Sequence, residues 1–224
     1  MMTENNFFTH IQKWSVCKAD TREPPKFFRQ SFDLADKTII PYDELTSWKN
    51  DVHLENLIPH FFIEDYKQTC FADNPQKHSD ILDYCYAVFS PDYSVFTNGY
   101  SQFNNANLLL NRLIASYWQS IGRFVIITLS WAGKDTYDTA FSNIEKGCIV
   151  GISTEGVSDW ECFKNGFLEM LKRVEPSKIC WYDKIPRWVS DYYNIDNIIV
   201  MKKRHKAARE REFEKLRKAQ PCLF

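Results

Sequence analysis

The stretch "FVIITLSW", residues 124–131, decides the fold class of this chain of 224 residues. It is rich in β-branched residues, which favour β-strands. The run is continuously apolar and does not alternate with polar residues, so both faces of the strand should be covered. Strands of this kind are typical of parallel sheets. We therefore predict that residues 124–131 form a buried strand of a parallel sheet.

Five other apolar runs resemble this one, and we predict that each forms a strand. They are "LIPHFFIEDY" (57–66), "YAVFS" (86–90), "CIVGIST" (148–154), "KICWYD" (178–183) and "NIIVM" (197–201). Helical patterns separate the runs, and strand–helix–strand units imply right-handed crossovers. The predicted fold is α/β, with a mostly parallel sheet of about six strands. The sheet is either an open three-layer sheet or an incomplete TIM-like barrel, and the sequence leaves both open.

Two of the helical segments are long. Apolar residues recur at helical spacing in residues 104–122 and 158–176. Ser158, followed three residues later by Glu161, has the pattern of a capping box and is the predicted N-cap of the second helix. Shorter helices are predicted within residues 137–147 and 186–195.

The chain divides into three parts by composition. Residues 1–55 form an irregular N-terminal segment that we expect to wrap around the core, residues 56–201 form the α/β core domain, and residues 202–224 form a basic helical tail. Within the tail, residues 202–218 hold nine Lys or Arg and three Glu, a net charge of about +6 (9 − 3). The other residues hold 19 basic and 26 acidic side chains, about −7.

Composition excludes several classes of protein. The hydrophobic share of 44% and the charged share of 25% are those of a globular domain. No apolar stretch reaches the roughly 18–20 residues of a membrane-spanning helix, and the N-terminus has no signal-peptide pattern. The seven cysteines and five histidines show no spacing typical of metal ligands. We expect a cytoplasmic protein without membrane contact, metal or cofactor, and the sequence leaves open whether it is an enzyme.

Polar residues follow the predicted strands, where parallel sheets place their ligands. Asp92 and Glu155 are the candidate acid–base pair. The candidate binding residues at these strand ends are Ser90, Tyr93, Ser94, Thr128, Trp131, Ser153, Thr154, Tyr182 and Asp183. Each of the polar residues after a strand could instead cap a helix or close a turn.

The basic tail is the candidate contact for nucleic acid, because Lys and Arg neutralise phosphates. The side chains proposed for this contact are Lys202, Lys203, Arg204, Lys206, Arg209 and Arg211. The same tail could instead pair with the acidic body of its own chain or of a partner, or remain solvated.

Four segments, in this order, resemble an uncharacterised family of bacterial, archaeal and phage proteins, the domain-of-unknown-function family 4417. They are "SPDYS" (90–94), "NRLIASYWQSIGRFVIITLSW" (111–131), "FSNIEKGCIVGISTEGV" (141–157) and "FKNGFLEMLKRVEPSKICWYD" (163–183). The residues that match the family pattern are Asp92, Ser94, Arg112, Trp118, Gln119, Trp131, Ser153, Thr154 and Gly156. Ile127 replaces an expected proline, and Asn143 stands where the family tends to have glycine. The resemblance implies a mobile-element setting and no mechanism. It also adds two residues of the helical segment 104–122, Arg112 and Gln119, to the candidate binding residues.

Three hypotheses of function follow. The protein acts with nucleic acid, or with a replication or defence complex, through its basic tail. Alternatively, it is a small-molecule hydrolase with its site around Asp92 and Glu155. As a third alternative, it is a non-catalytic inhibitor or interaction protein that binds a host partner.

Overall fold

The computed structural model describes residues 24–48, 53–76 and 79–201, and seven short strands form the sheets of this part of the chain. We number them β1 (Thr38–Pro41), β2 (Leu57–His60), β3 (Val88–Phe89), β4 (Val125–Thr128), β5 (Ile149–Ser153), β6 (Lys178–Tyr182) and β7 (Ile198–Met201). The decisive stretch at 124–131 thus contributes a strand of four residues, all buried.

All strand pairs are parallel, as predicted. β1 pairs with β2 in a two-stranded sheet, and β3 to β7 form a five-stranded sheet in chain order. One backbone hydrogen bond, from the amide of Tyr86 to the carbonyl oxygen of Leu57 (3.0 Å), links the two sheets. The predicted α/β class with a parallel sheet is confirmed. The run at 57–66 differs from the prediction, because only its first four residues form a strand and that strand belongs to the smaller sheet.

Helices connect the strands. They are α1 (Leu45–Trp48), α2 (Thr69–Asp73), α3 (Ser101–Ser120), α4 (Tyr137–Phe141) and α5 (Trp160–Val174). The predicted N-cap of α5 was wrong by one residue: Asp159, and not Ser158, caps the helix, and its Oδ1 accepts a hydrogen bond from the Cys162 amide at 2.9 Å. The predicted helix at 186–195 is a pair of 3₁₀ helices, Arg187–Asp191 and Ile195–Asn197.

The described part of the N-terminal segment lies against the core. Phe27 forms a parallel bridge with Ile144, and the side-chain amide of Gln119 exchanges two hydrogen bonds with the backbone of Phe28 (2.8 and 3.0 Å). The guanidinium of Arg112, which is 2% exposed, fastens the same segment to α4. It donates to the carbonyl oxygens of Pro25 (3.4 Å), Ala140 (2.9 Å) and Ser142 (2.7 Å).

One departure from the family pattern has a backbone explanation. Asn143 has a φ of 58°, in the left-handed region that glycine adopts without strain. Asparagine is the side chain that best tolerates this region after glycine. The replacement of glycine by asparagine is therefore compatible with the same turn.

Among the described residues, no helix is long and apolar enough to cross a membrane. The boundaries predicted for the three parts of the chain stay predictions, and the tail (202–224) lies outside the described residues.

Candidate functional site

A cavity of about 410 Å³ lies at the carboxyl ends of three neighbouring strands, β3, β4 and β5. Because the three strands are parallel, the segments that follow them meet at one edge of the sheet. The walls of the cavity are formed by residues 92–98 after β3, residues 129–131 after β4, and Ser153 at the end of β5 with residues 155–159 that follow it. Cys162 and Phe163 of α5 complete the lining. The volume lies in the range of small-molecule sites, about 300–1,000 Å³.

Asp92 lies in the wall formed by the segment after β3, and its backbone is held on both sides by one side chain. The Gln68 amide group donates to the Asp92 carbonyl oxygen at 2.5 Å and accepts from the Asp92 amide at 3.0 Å. Gln68 is fully buried. Burial, together with the nearby carboxylate of Asp65, raises the pKa of the Asp92 carboxyl from 3.8 to about 7. Asp92 is thus a carboxylic acid that exchanges its proton near neutral pH.

Three asparagines of α3 hold the rest of this segment. Asn104 exchanges two hydrogen bonds with the backbone of Phe96, at 2.9 and 2.8 Å. Asn107 donates to the carbonyl oxygen of Ser94 at 2.7 Å, and Asn111 donates to that of Pro91 at 2.5 Å. The asparagines are spaced three and four residues apart, so they lie on one face of the helix. The loop that carries Asp92 is therefore fixed by side chains along its length.

The opposite wall, after β5, carries two more carboxylates. Glu155 is exposed, and its backbone amide donates to the Ser153 hydroxyl at 3.0 Å. Asp159 is the N-cap of α5. None of the described residues that line the cavity is Lys, Arg or His. The cavity therefore has a negative or neutral electrostatic character, which depends on the protonation of Asp92.

Trp131 forms an aromatic wall of the cavity. Its ring stacks on Phe163 with 5.0 Å between centroids, and its indole N–H donates to the Phe163 carbonyl oxygen at 3.2 Å. The indole lies directly on the backbone of α5 at Gly166, where any Cβ would overlap the ring.

We expect Gly166→Ala to destabilise the protein by about 2 kcal/mol, since the methyl group forces the Trp131 indole out of its position. The gain in helix propensity from alanine, about 1 kcal/mol, offsets only part of this cost. Urea unfolding of the variant measures the effect. Asn165→Ala is the matched control, because the neighbouring Asn165 is exposed on the same helix and its replacement should leave stability within about 0.5 kcal/mol. Equal stabilities of the two variants would show that Trp131 does not pack on Gly166.

The cavity brings together six of the residues that the sequence analysis proposed. They are Asp92, Tyr93, Ser94, Trp131, Ser153 and Glu155. Seven others have places outside its lining: Ser90, Arg112, Gln119, Thr128, Thr154, Tyr182 and Asp183. The proposed nucleic-acid residues, Lys202, Lys203, Arg204, Lys206, Arg209 and Arg211, lie outside the described residues.

The side chains of several of these seven residues form hydrogen bonds within the fold. The Ser90 hydroxyl donates to the side-chain oxygen of Asn111 (3.0 Å) and accepts from the Thr128 amide (2.8 Å), while the Thr128 hydroxyl donates back to the Ser90 carbonyl oxygen (2.8 Å). The Thr154 hydroxyl donates to the carbonyl oxygen of Lys184 at 2.7 Å. These side chains fix the ends of the strands on which the cavity stands.

Sequence reasoning missed the residues that hold the cavity wall. They are Gln68, Asp65, Asn104, Asn107, Asn111 and Asp159. The three asparagines could have been noticed in the sequence, because asparagine is unfavourable inside a helix unless its side chain forms hydrogen bonds with another segment. No sequence pattern linked Gln68 and Asp65 to the cavity, since they come from a segment far from β3 in sequence.

The described residues contain no group of three or more His, Cys, Asp or Glu side chains arranged to hold a metal ion.

Comparison with known proteins agrees with the sequence resemblance. The Gene 1 protein of Mycobacterium phage L5 is 33% identical over 130 residues, which cover 56% of this chain and 57% of that protein. The Gene 1 protein of Mycobacterium phage D29 is 29% identical over 162 residues, 68% of this chain and 60% of that protein. The chain thus spans less than two thirds of the length of either relative. No solved structure matches it significantly. A family model described as "Domain of unknown function (DUF4417)" matches residues 20–202, most of the chain, and the protein therefore belongs to the DUF4417 family.

Proposed function

We propose that the cavity at the carboxyl ends of β3 to β5 is a small-molecule site of a hydrolase-like enzyme, in which Asp92 and Glu155 carry out acid–base chemistry. The observation that supports this most is the placement of two carboxyl groups from different strands in the walls of one cavity. The carboxyl edge of a parallel sheet is the usual position of such a site.

Asp92 has the properties of a general acid or base. Its pKa near 7 allows it to hold or release a proton at neutral pH, where acid–base catalysis is most efficient. Its backbone is fixed by Gln68, so the loop that carries the carboxyl group is already in place before a proton transfer. Glu155 is exposed on the facing wall and is therefore accessible to a ligand or to water.

The test is turnover of small molecules. The full-length protein is incubated with a metabolite extract of a bacterial host, and its consumption of individual compounds is followed by mass spectrometry. We expect Asp92→Asn and Glu155→Gln to slow this consumption by about 100-fold or more, the usual contribution of an acid or base. Asp191→Asn, at an exposed position after β6, is the control and should keep full activity. Unchanged turnover in the Asp92 variant would overturn the proposal, and stoichiometric binding of a host protein without turnover would favour an interaction protein.

We further infer that the sheet curves as an incomplete TIM-like barrel. The strand order follows the chain order from β3 to β7, as in barrels and unlike doubly wound sheets. Rings from distant strands also meet: Phe62, just after β2, stacks on Tyr182 of β6 with 5.2 Å between centroids. A Cβ on Gly151 of β5 would lie 2.6 Å from Phe89 of β3, two strands away. These contacts support rings filling a concave interior.

Nucleic-acid binding by the tail is the second candidate function, favoured by the segregation of charge along the chain. Residues 202–218 carry nine basic and three acidic side chains, whereas the remaining residues are acidic overall. Basic clusters of this kind bind phosphates with a strong dependence on salt. The side chains with the largest share in this proposal are Lys202, Lys203, Arg204, Lys206, Arg209 and Arg211.

Fluorescence anisotropy with a labelled DNA oligonucleotide at several salt concentrations tests the second candidate. Deletion of residues 202–224 should weaken binding about tenfold or more in low salt and flatten its salt dependence. Retention of the salt-dependent affinity after the deletion would rule out the tail as the contact.

A further inference from the structure

We propose that the cavity binds an organic cation, such as an amidinium, guanidinium or ammonium group attached to a planar or apolar body. This inference rests on the small-molecule site proposed above and names its ligand class. It goes further because it depends on the whole lining of the cavity and not only on the two groups assigned to acid–base chemistry.

The first support is the charge of the walls. Three carboxyl side chains, those of Asp92, Glu155 and Asp159, come from two different loops and line the same space. No basic side chain among the described lining residues balances them. An anionic ligand such as a phosphate ester would meet these groups without a counter-charge, which costs free energy, whereas a cation would pair with them.

The second support is independent of charge and comes from the aromatic lining. Phe96, Trp131 and Phe163 all line the cavity. Trp131 and Phe163 are buried and stacked on each other, whereas Phe96 is 54% exposed and is the most accessible of the three rings. Aromatic faces attract organic cations through the negative potential above the ring. They also stack on a planar ligand body, whereas a bare metal ion would need oxygen ligands in their place.

The third support is the rigidity of the wall. The loop carrying Asp92 and Phe96 is held by Gln68 and by Asn104, whose side chain exchanges two hydrogen bonds with the Phe96 backbone. A loop whose backbone is already held in place binds a ligand without the entropy cost of ordering that loop. The cavity is therefore organised before a ligand arrives.

Three probes of nearly the same shape distinguish the effect of charge on binding from the effect of shape. Benzamidine is a cation, benzamide is neutral and benzoate is an anion. Isothermal titration calorimetry with the full-length protein at neutral pH measures their affinities. We expect benzamidine to bind about tenfold or more tightly than benzamide, and benzoate to show no binding. Equal or tighter binding of benzamide or benzoate would overturn the cation preference, as would failure of benzamidine to bind at millimolar concentrations.

The variants Glu155→Gln and Glu55→Gln test whether benzamidine binds in the cavity. Glu155 is exposed in the cavity wall, so its variant should fold, and it should weaken benzamidine about tenfold without changing benzamide. Glu55 is also exposed but lies just before the amino end of β2, outside the residues that line the cavity, and its variant should bind normally. Equal effects of the two variants would place the cation elsewhere. Binding of benzamidine without any metabolite turnover would leave the cation site intact and refute the catalytic proposal alone.

Discussion

Asp92→Asn should make the folded protein more stable at pH 8 and change its stability little at pH 4. The pKa of Asp92 is raised from 3.8 to about 7 by burial, so the folded state holds this proton more tightly than the unfolded state. The stability associated with the protonated carboxyl is present below pH 4 and is lost as the pH rises through 7. The shift alone would correspond to about 4 kcal/mol, which partial exposure of the side chain reduces to about 2 kcal/mol.

Urea unfolding at pH 4, 6 and 8 measures this effect. The gain from Asp92→Asn should grow with pH and level off above about pH 7. Asp191→Asn makes the same chemical change at an exposed site and should alter stability by less than about 0.5 kcal/mol at every pH. A loss of stability at pH 8 in the Asp92 variant would show that the charged carboxylate is stabilised in the folded protein, contrary to the environment described here.

Arg112→Ala should destabilise the protein by about 4 kcal/mol, because it leaves two buried carbonyl groups and one half-buried carbonyl group without their shared donor. The guanidinium joins α3 to the N-terminal segment and to α4, so both contacts weaken together. Burial lowers the pKa of Arg112 to about 9, which keeps the group charged at neutral pH. Its charge is stabilised by carbonyl dipoles in place of a carboxylate.

Arg173→Ala is the matched control for this prediction. Arg173 forms ion pairs with Asp138 and Glu169, both at 2.6 Å, but lies near the surface. Surface ion pairs contribute little, so its loss should cost less than about 1 kcal/mol. Chemical unfolding of the two variants compares them directly. A larger cost for Arg173→Ala would mean that the hydrogen bonds of Arg112 do not hold the N-terminal segment.

The fold class was predictable because the signal lay in local composition. Both faces of β4, β5 and β6 are covered, so the sequences of these strands are mainly apolar, and the crossover helices α3 and α5 have clear apolar faces. The pairing of β1 with β2 could not be predicted. It depends on contacts between short strands separated by an irregular segment, and four residues hold little periodicity.

The candidate site was predictable in position but not in detail. Ligands of parallel sheets bind beyond the carboxyl ends of the strands, and this rule placed Asp92, Trp131 and Glu155 at one edge of the sheet, where the cavity lies. It could not tell which side chains at that edge turn inward, so the hydroxyl groups of Ser90 and Thr128 were also proposed, although both tie strands together. The rule predicts at which end of the strands a site lies, whereas the direction of each side chain depends on its partners in the fold.

Titration of the Asp92 carboxyl carbon by ¹³C NMR, with Asp92→Asn used to assign its signal, measures the pKa on which the proposed catalytic role depends. A carboxylic acid held in a cavity that carries out acid–base chemistry should titrate near pH 7. Addition of benzamidine should move this midpoint to lower pH, because a bound cation favours the carboxylate. A midpoint near pH 4 would show an ordinary solvated aspartate and would contradict the catalytic role. A midpoint that benzamidine leaves unchanged would contradict the cation site.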